Sequence, residues 1–138
     1  MPRTSVGPLR VLALLLSIGL TWPHPGVAAI RTVTALGDTT PGGTAGQLRF
    51  EITAAASGDT IVIPPGTITL TGASGENANA SGDLDITKNL TIQGAGAGIT
   101  ILDGGGIDRV IEIVAATATV SGMTIRNGYA GGGASPRP

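Results

Sequence analysis

No cysteine occurs among the 138 residues, and histidine, tryptophan, tyrosine and phenylalanine occur once each. Without cysteine there is no disulfide framework, no thiolate metal site and no thiol nucleophile. Sugar-binding surfaces and single-strand nucleic-acid platforms rely on aromatic faces for stacking, and there is almost nothing here to stack on. Charged residues make up only 12%, with 8 basic against 9 acidic groups. That balance excludes both a charged disordered tail and a nucleic-acid binder with a basic face. What the chain has in excess is glycine, 23 residues or about 17% against an average near 7%.

The N-terminal stretch reads as an export signal. Arg3 and Arg10 give a positive start, and the apolar run Val11 to Leu20 follows. Ten apolar residues are too few to span a bilayer, which takes about 20, but they suit the core of a secretory signal. Pro23 and Pro25 then break the chain, and Val27-Ala28-Ala29 places small residues where a signal peptidase cuts. Residues 1–29 are therefore expected to be removed, which takes away the single histidine and the single tryptophan. No later segment is long and apolar enough to cross a membrane. The expected product is secreted, extracellular or cell-surface, with the periplasm as the other destination.

The rest alternates in short pieces: Thr60-Ile61-Val62-Ile63, Leu84-Asp85-Ile86, Leu90-Thr91-Ile92, Thr100-Ile101-Leu102, Val110-Ile111-Glu112-Ile113, Thr119-Val120 and Thr124-Ile125. Each is β-branched and bounded by Gly, Pro, Asn or Asp, the pattern of short strands joined by tight bends. The pieces also recur in order. Ile61-Val62-Ile63, Leu84-Asp85-Ile86 and Ile111-Glu112-Ile113 are each followed by Thr-apolar-x-Gly, and the copies start 23 and 27 residues apart (61 to 84 to 111). Such a period with several strands per copy describes a β-solenoid of about three coils over residues 57–128. A small β-sandwich is the structural alternative.

This alternation predicts the inward ladders Ile61/Leu84/Ile111, Ile63/Ile86/Ile113, Leu70/Ile92/Val120 and Ile101/Ile125. It puts Thr69, Thr91 and Thr119 outward, and Gly72, Gly94 and Gly122 at bends. Unequal coils favour a right-handed parallel β-helix, because left-handed solenoids keep a strict six-residue period that is absent. An open first coil exposes core and unpaired edges, so residues 30–56 are expected to supply a strand and a capping helix. Thr44 and Gln47 are spaced as a capping box, Leu48, Ile52 and Ala55 share one helical face, and Gly58 can end the helix. These place the helix at 45–56.

Thr32-Val33-Thr34-Ala35-Leu36-Gly37-Asp38, Leu48-Arg49 and Gly58-Asp59-Thr60-Ile61-Val62-Ile63-Pro64-Pro65-Gly66 resemble the start of secreted right-handed parallel β-helix repeat proteins. Asn89-Leu90-Thr91-Ile92-Gln93-Gly94 and Ser121-Gly122-Met123-Thr124-Ile125-Arg126-Asn127-Gly128 continue the likeness over roughly residues 30–128. The group is similar to pectate-lyase-like solenoids and to polymorphic outer-membrane surface proteins. Many of its members carry Cys-Ser before the Leu-Arg pair, where this chain has Gly46-Gln47. The resemblance implies fold and export; it implies no particular reaction.

Polysaccharide lyases on such a fold need carboxylates holding Ca²⁺ and a basic residue, and hydrolases need clustered acids. The available groups are Asp83, Asp85, Asp103, Asp108 and Glu112, with Lys88, Arg109 and Arg126 as cations. Asp85 and Glu112 occupy equivalent repeat positions, so they are expected one coil apart on an outward face, solvated; whether they hold a cation the residues leave open. Asp103-Gly104-Gly105-Gly106-Ile107-Asp108 reads as a bend between strands. Asn79-Ala80-Ser81 and Asn89-Leu90-Thr91 match the glycosylation triplet. None of these groups assembles into a catalytic, cofactor-binding or metal site on sequence grounds.

The expected role is an exported β-helix scaffold or surface-display module without cofactor. A lyase or hydrolase fragment acting on acidic polysaccharide, and an adhesin passenger segment, are the alternatives. Partners would be polysaccharide or cell-surface components. The last coil runs into the Gly/Pro-rich tail 129–138, expected to be disordered and too polar to cap it, so the chain reads as the front of a longer protein. Self-association through the uncapped edge is a further expectation.

Overall fold

A computed structural model describes residues 26–130. The export signal expected at 1–29 lies outside them as far as residue 25, and the tail expected at 129–138 lies outside them from residue 131. Within the described residues the chain is a succession of short strands with one helix. In order they are β1 (Ile30–Thr32), α1 (Leu48–Ala54), β2 (Thr60–Val62), β3 (Gly66–Thr69), β4 (Leu84–Ile86), β5 (Leu90–Gln93), β6 (Thr100–Asp103), β7 (Ile111–Ile113), β8 (Ala118–Ser121) and β9 (Thr124–Arg126).

Every strand pairing is parallel, which sets aside the antiparallel sandwich. The sheets run β1-β2-β5-β8, β3-β6-β9 and β4-β7. From β2 onward the chain visits them in rotation: β2, β3 and β4 form a first layer, β5, β6 and β7 a second, and β8 with β9 a third. Each layer therefore lies on the one before it. The side chains that alternate inward form one core, with Ile61, Ile63, Ile68, Leu70, Leu84, Ile86, Ile92 and Leu102 all buried.

The register corrects the expected ladders. Ile61 stacks on Ile92 and Val120, not on Leu84 and Ile111. Leu84 does pair with Ile111 and Ile86 with Ile113, but as a sheet of their own. The outward threonine row is Thr60, Thr91 and Thr119, with Thr69 in a different sheet beside Asp103. Ile101 faces Thr67 and Thr124, while Leu102 takes the core position between Ile68 and Ile125. The period at the first sheet is thus 31 (61 to 92) and then 28 (92 to 120) residues. Leu84-Asp85-Ile86 imitates Ile61-Val62-Ile63 in composition, and similar three-residue strands carry too little information to fix which sheet they join.

Gly122 has the positive φ expected at a bend, +65°. Gly94 is needed for another reason: a Cβ there would collide with the Gly122 carbonyl oxygen of the next layer. Only glycine lets the two backbones approach that closely.

The helix α1 is shorter than the expected 45–56. Gly46 has φ +88°, a left-handed conformation that a helix cannot include, so Gln47 becomes the N-cap. The Thr44/Gln47 pair is half realised. Gln47 Oε1 accepts from the Thr44 and Thr39 amides, while the Gln47 side chain makes no cap bond to the helix. At the other end Ala55 is extended, and Lys88 Nζ donates to the carbonyls of Thr53 and Ala55 at 2.7 and 2.6 Å. A cation at a helix C-terminus satisfies orphan carbonyls and the helix dipole together. Leu48, Ile52 and Ala55 face the core as expected.

Arg49 is buried too. Its guanidinium donates to both carboxylate oxygens of Asp38 at 2.7 and 2.9 Å, and to the carbonyls of Asp83 and Gly82 at 2.8 Å each. Asp38 in turn accepts from the Thr71 amide. This network ties the helix to the turn before it and to the chain entering β4. Among the described residues no helix is long and apolar enough to cross a membrane.

Candidate functional site

The sequence candidates separate into three places. Lys88 is spent on the C-terminus of α1, as described. Asp103, Arg126 and Asn127 form one group between the second and third layers. Asp83, Asp85, Asp108, Arg109 and Glu112 come together at the seam of β4 and β7.

The Asp103 group is saturated. Asp103 Oδ2 accepts from Arg126 Nε at 2.8 Å, Asn127 Nδ2 donates to both carboxylate oxygens, and the Gly105 amide donates to Oδ1. The Gly105 amide, with Asn127 and Arg126, holds this carboxyl below its ordinary pKa. The glycine loop after it is a bend: Gly104 and Gly106 donate to the carbonyls of Arg126 and Asn127. A carboxylate with its oxygens so fully occupied has a structural role.

The β4/β7 seam is different. Parallel pairing sets Asp85 beside Glu112, as the repeat predicts, but the expectation of two solvated carboxylates fails. Asp85 is buried, because the chain between Gly72 and Asp83 folds back over it. Asn79 is the clasp, and it bonds Asp85 twice: the Asn79 amide donates to Asp85 Oδ2 at 2.9 Å, and the Asp85 amide donates to Asn79 Oδ1. Asn79 Nδ2 then donates to the Arg49 carbonyl and to Thr53 Oγ1. The clasp takes Asn79 out of reach as a glycosylation acceptor in the folded chain; Asn89 remains exposed.

Asp83, two residues earlier, is fully buried, and the guanidinium of Arg109 covers this corner with 44% of its side chain exposed. Arg109 Nε donates to Asp83 Oδ2 at 3.2 Å and lies 3.9 Å from Asp108 Oδ1, and Nη1 donates to Glu112 Oε1 at 3.1 Å. Its Nη2 is 2.7 Å from Glu112 Oε2, an ion pair out of hydrogen-bond alignment that leaves Oε2 without a donor. Asp83 Oδ1 and Asp85 Oδ1 are also buried without a partner. Unpaired buried carboxylate oxygens are rare because each forfeits its hydration.

The energetics follow from that geometry. Burial pushes the Asp83 carboxyl above its ordinary pKa, and the charges of Asp85 and Asp108 push the same way against Arg109. Burial also raises Asp85, opposed by the Asn79 amide and reinforced by Glu76 and Glu112. A carboxylate oxygen from each of Asp83, Asp85 and Glu112 lies within 4.8 Å of the other two. Glycosidase pairs stand about 5 Å or more apart across an open cleft. Here two of the three groups are buried and offer no sugar a place to lie.

All these acids are visible in the sequence, and the repeat alone sets Asp85 beside Glu112. The roles of Asp38, Arg49 and Asn79, which close over the site, are not visible there. The only available signal was Arg49 on the helix, next to the apolar face. No family model, no curated protein and no solved structure matches this chain.

Proposed function

We propose that the chain is a right-handed parallel β-helix acting as an exported scaffold or surface-display module. The observation that carries this reading is the rotation of successive strands through three parallel sheets, each layer in register with the last. Parallel strand-to-strand crossovers are right-handed in about 98% of cases, which supports the handedness. The scarcity of aromatic side chains and the saturation of the Asp103 group favour a scaffold over a sugar-processing surface. Export rests on the N-terminal sequence pattern alone.

The experiment is a uronide-cleavage assay on acidic polysaccharide, following the absorbance of unsaturated product with and without Ca²⁺. A scaffold gives no turnover above buffer. Sustained turnover by the purified chain would replace this reading with the lyase reading.

A further inference from the structure

Four carboxylates (Asp83, Asp85, Asp108 and Glu112) meet one guanidinium at this seam, an excess charge of three; Asp83 Oδ1 and Asp85 Oδ1 are buried without any partner, and Glu112 Oε2 has only the misaligned Arg109 Nη2 contact. Asp83 and Asp85 are more than nine-tenths buried. Arg109 cannot cancel the remainder, because it already bonds Asp83 Oδ2 and Glu112 Oε1 from the exposed side. Arg49 and Lys88, the other nearby cations, are committed elsewhere, Arg49 to Asp38 and backbone carbonyls and Lys88 to the carbonyls of Thr53 and Ala55. Left so, the seam repels itself in a poorly solvated corner.

We propose that Asp83, Asp85 and Glu112 form a divalent-cation site of the calcium class that joins the first layer to the second. The donors are all carboxylate oxygens, which select hard cations over zinc or copper. Opposite oxygens in a calcium shell stand about 4.8 Å apart, from a metal–oxygen distance near 2.4 Å. One oxygen from each of the three carboxylates falls within that span. Magnesium requires a tighter octahedron, near 2.1 Å, and gives up water reluctantly. The Asn79 clasp holds Asp85 in one orientation before any ion arrives. Glu112, only partly buried, and the exposed Arg109 leave a way in. Asp83 and Asp85 come from the entry and the body of β4, Glu112 from β7, so an ion bound by all three spans the layers. With three protein ligands and water in the other positions, the affinity belongs with weak extracellular calcium modules, on the order of 10⁻⁴–10⁻³ M.

The test is calorimetric titration of the EDTA-stripped, full chain with CaCl₂, alongside melting curves in EDTA and in about 10 mM Ca²⁺ or Mg²⁺ at matched ionic strength. The site predicts one calcium per chain and a melting temperature several degrees higher in Ca²⁺, with Mg²⁺ giving less than half the shift. Glu112→Gln should melt in EDTA at or above the wild-type temperature, since one repelling charge is gone. Its calcium affinity should fall at least tenfold. Arg109→Gln, which removes the competing cation, should bind calcium severalfold more tightly and also serves should Glu112→Gln not fold. Absence of calcium binding by the wild type, an undiminished response in folded Glu112→Gln, or weaker or unchanged binding in Arg109→Gln would each overturn the proposal.

Discussion

The two ends of the stacked layers are built from the same kinds of strand and reach opposite outcomes. At the first layer, α1 lies over the core, and Ile61, Ile68 and Ile86 are sealed. At the other end their ladder mates Ile125 and Ile113 stay 46% and 47% exposed, and Val120 is only half-buried. Residue type and register hardly differ; what differs is whether another layer or a cap among the described residues covers them. In this architecture burial is conferred by the neighbouring layer rather than by the strand's own sequence.

That contrast can be broken most severely at the covered end. Arg49→Ala removes the guanidinium that bonds Asp38, Gly82 and Asp83, and strands a buried carboxylate. Removing one partner of a buried pair destabilises by about 3–5 kcal/mol. For a chain of this size that is a large share of the total, so denaturant titration should find the variant mostly unfolded or with a greatly lowered midpoint.

A matched pair sharpens the same contrast. Ile86 and Ile113 are direct ladder partners, one buried and one half-exposed. Ile86→Ala should destabilise by about 2–5 kcal/mol, as cavity-forming truncations do. Ile113→Ala should lose about 1 kcal/mol or less, because much of its surface already meets water. Equal losses in urea unfolding would contradict the view that the neighbouring layer decides burial.

The smallest effect concerns acid. Asp59 at the covered end and Asp103 near the open one both titrate below the ordinary carboxylate range. Asp59 is held down by the Ala29 and Ala56 amides, and Asp103 by the Gly105 amide with Asn127 and Arg126. The unfolded chain takes up these protons more readily than the folded one. Their contribution is therefore full above about pH 4–5 and is lost as pH falls through the lowered folded values. Asp103→Asn should be less stable at neutral pH and lose stability less steeply on acidification, measured by melting temperature from pH 7 to 3.

Much of this was legible beforehand, for a physical reason. β-branched triplets between glycines can be little else than short strands, and the pairing of Leu84-Asp85-Ile86 with Ile111-Glu112-Ile113 followed from like patterns. Ile61 went to the wrong ladder because apolar-x-Ile recurs in two different sheets, and nothing local marks which. Ile101 and Leu102 are adjacent and both apolar, so period two has no preferred phase there; Ile68 and Ile125 decide it from other layers. The seam's acids were visible as residues, but their burial was not. It depends on Asn79 and Arg49, polar side chains that a local reading leaves in water.

The segment between β3 and β4 shows where such a chain is free to change. The strands of the β3-β6-β9 sheet recur after 34 residues (68 to 102) across that excursion, but after 23 (102 to 125) without it. Strand positions are locked by what lies above and below them, whereas a corner can lengthen without disturbing any ladder. Here the extra length carries Asn79 over Asp85, and the corresponding position one layer on, Glu112, stays partly open. The longer corner thus roofs a strand position already present and turns a repeated surface residue into a singular one.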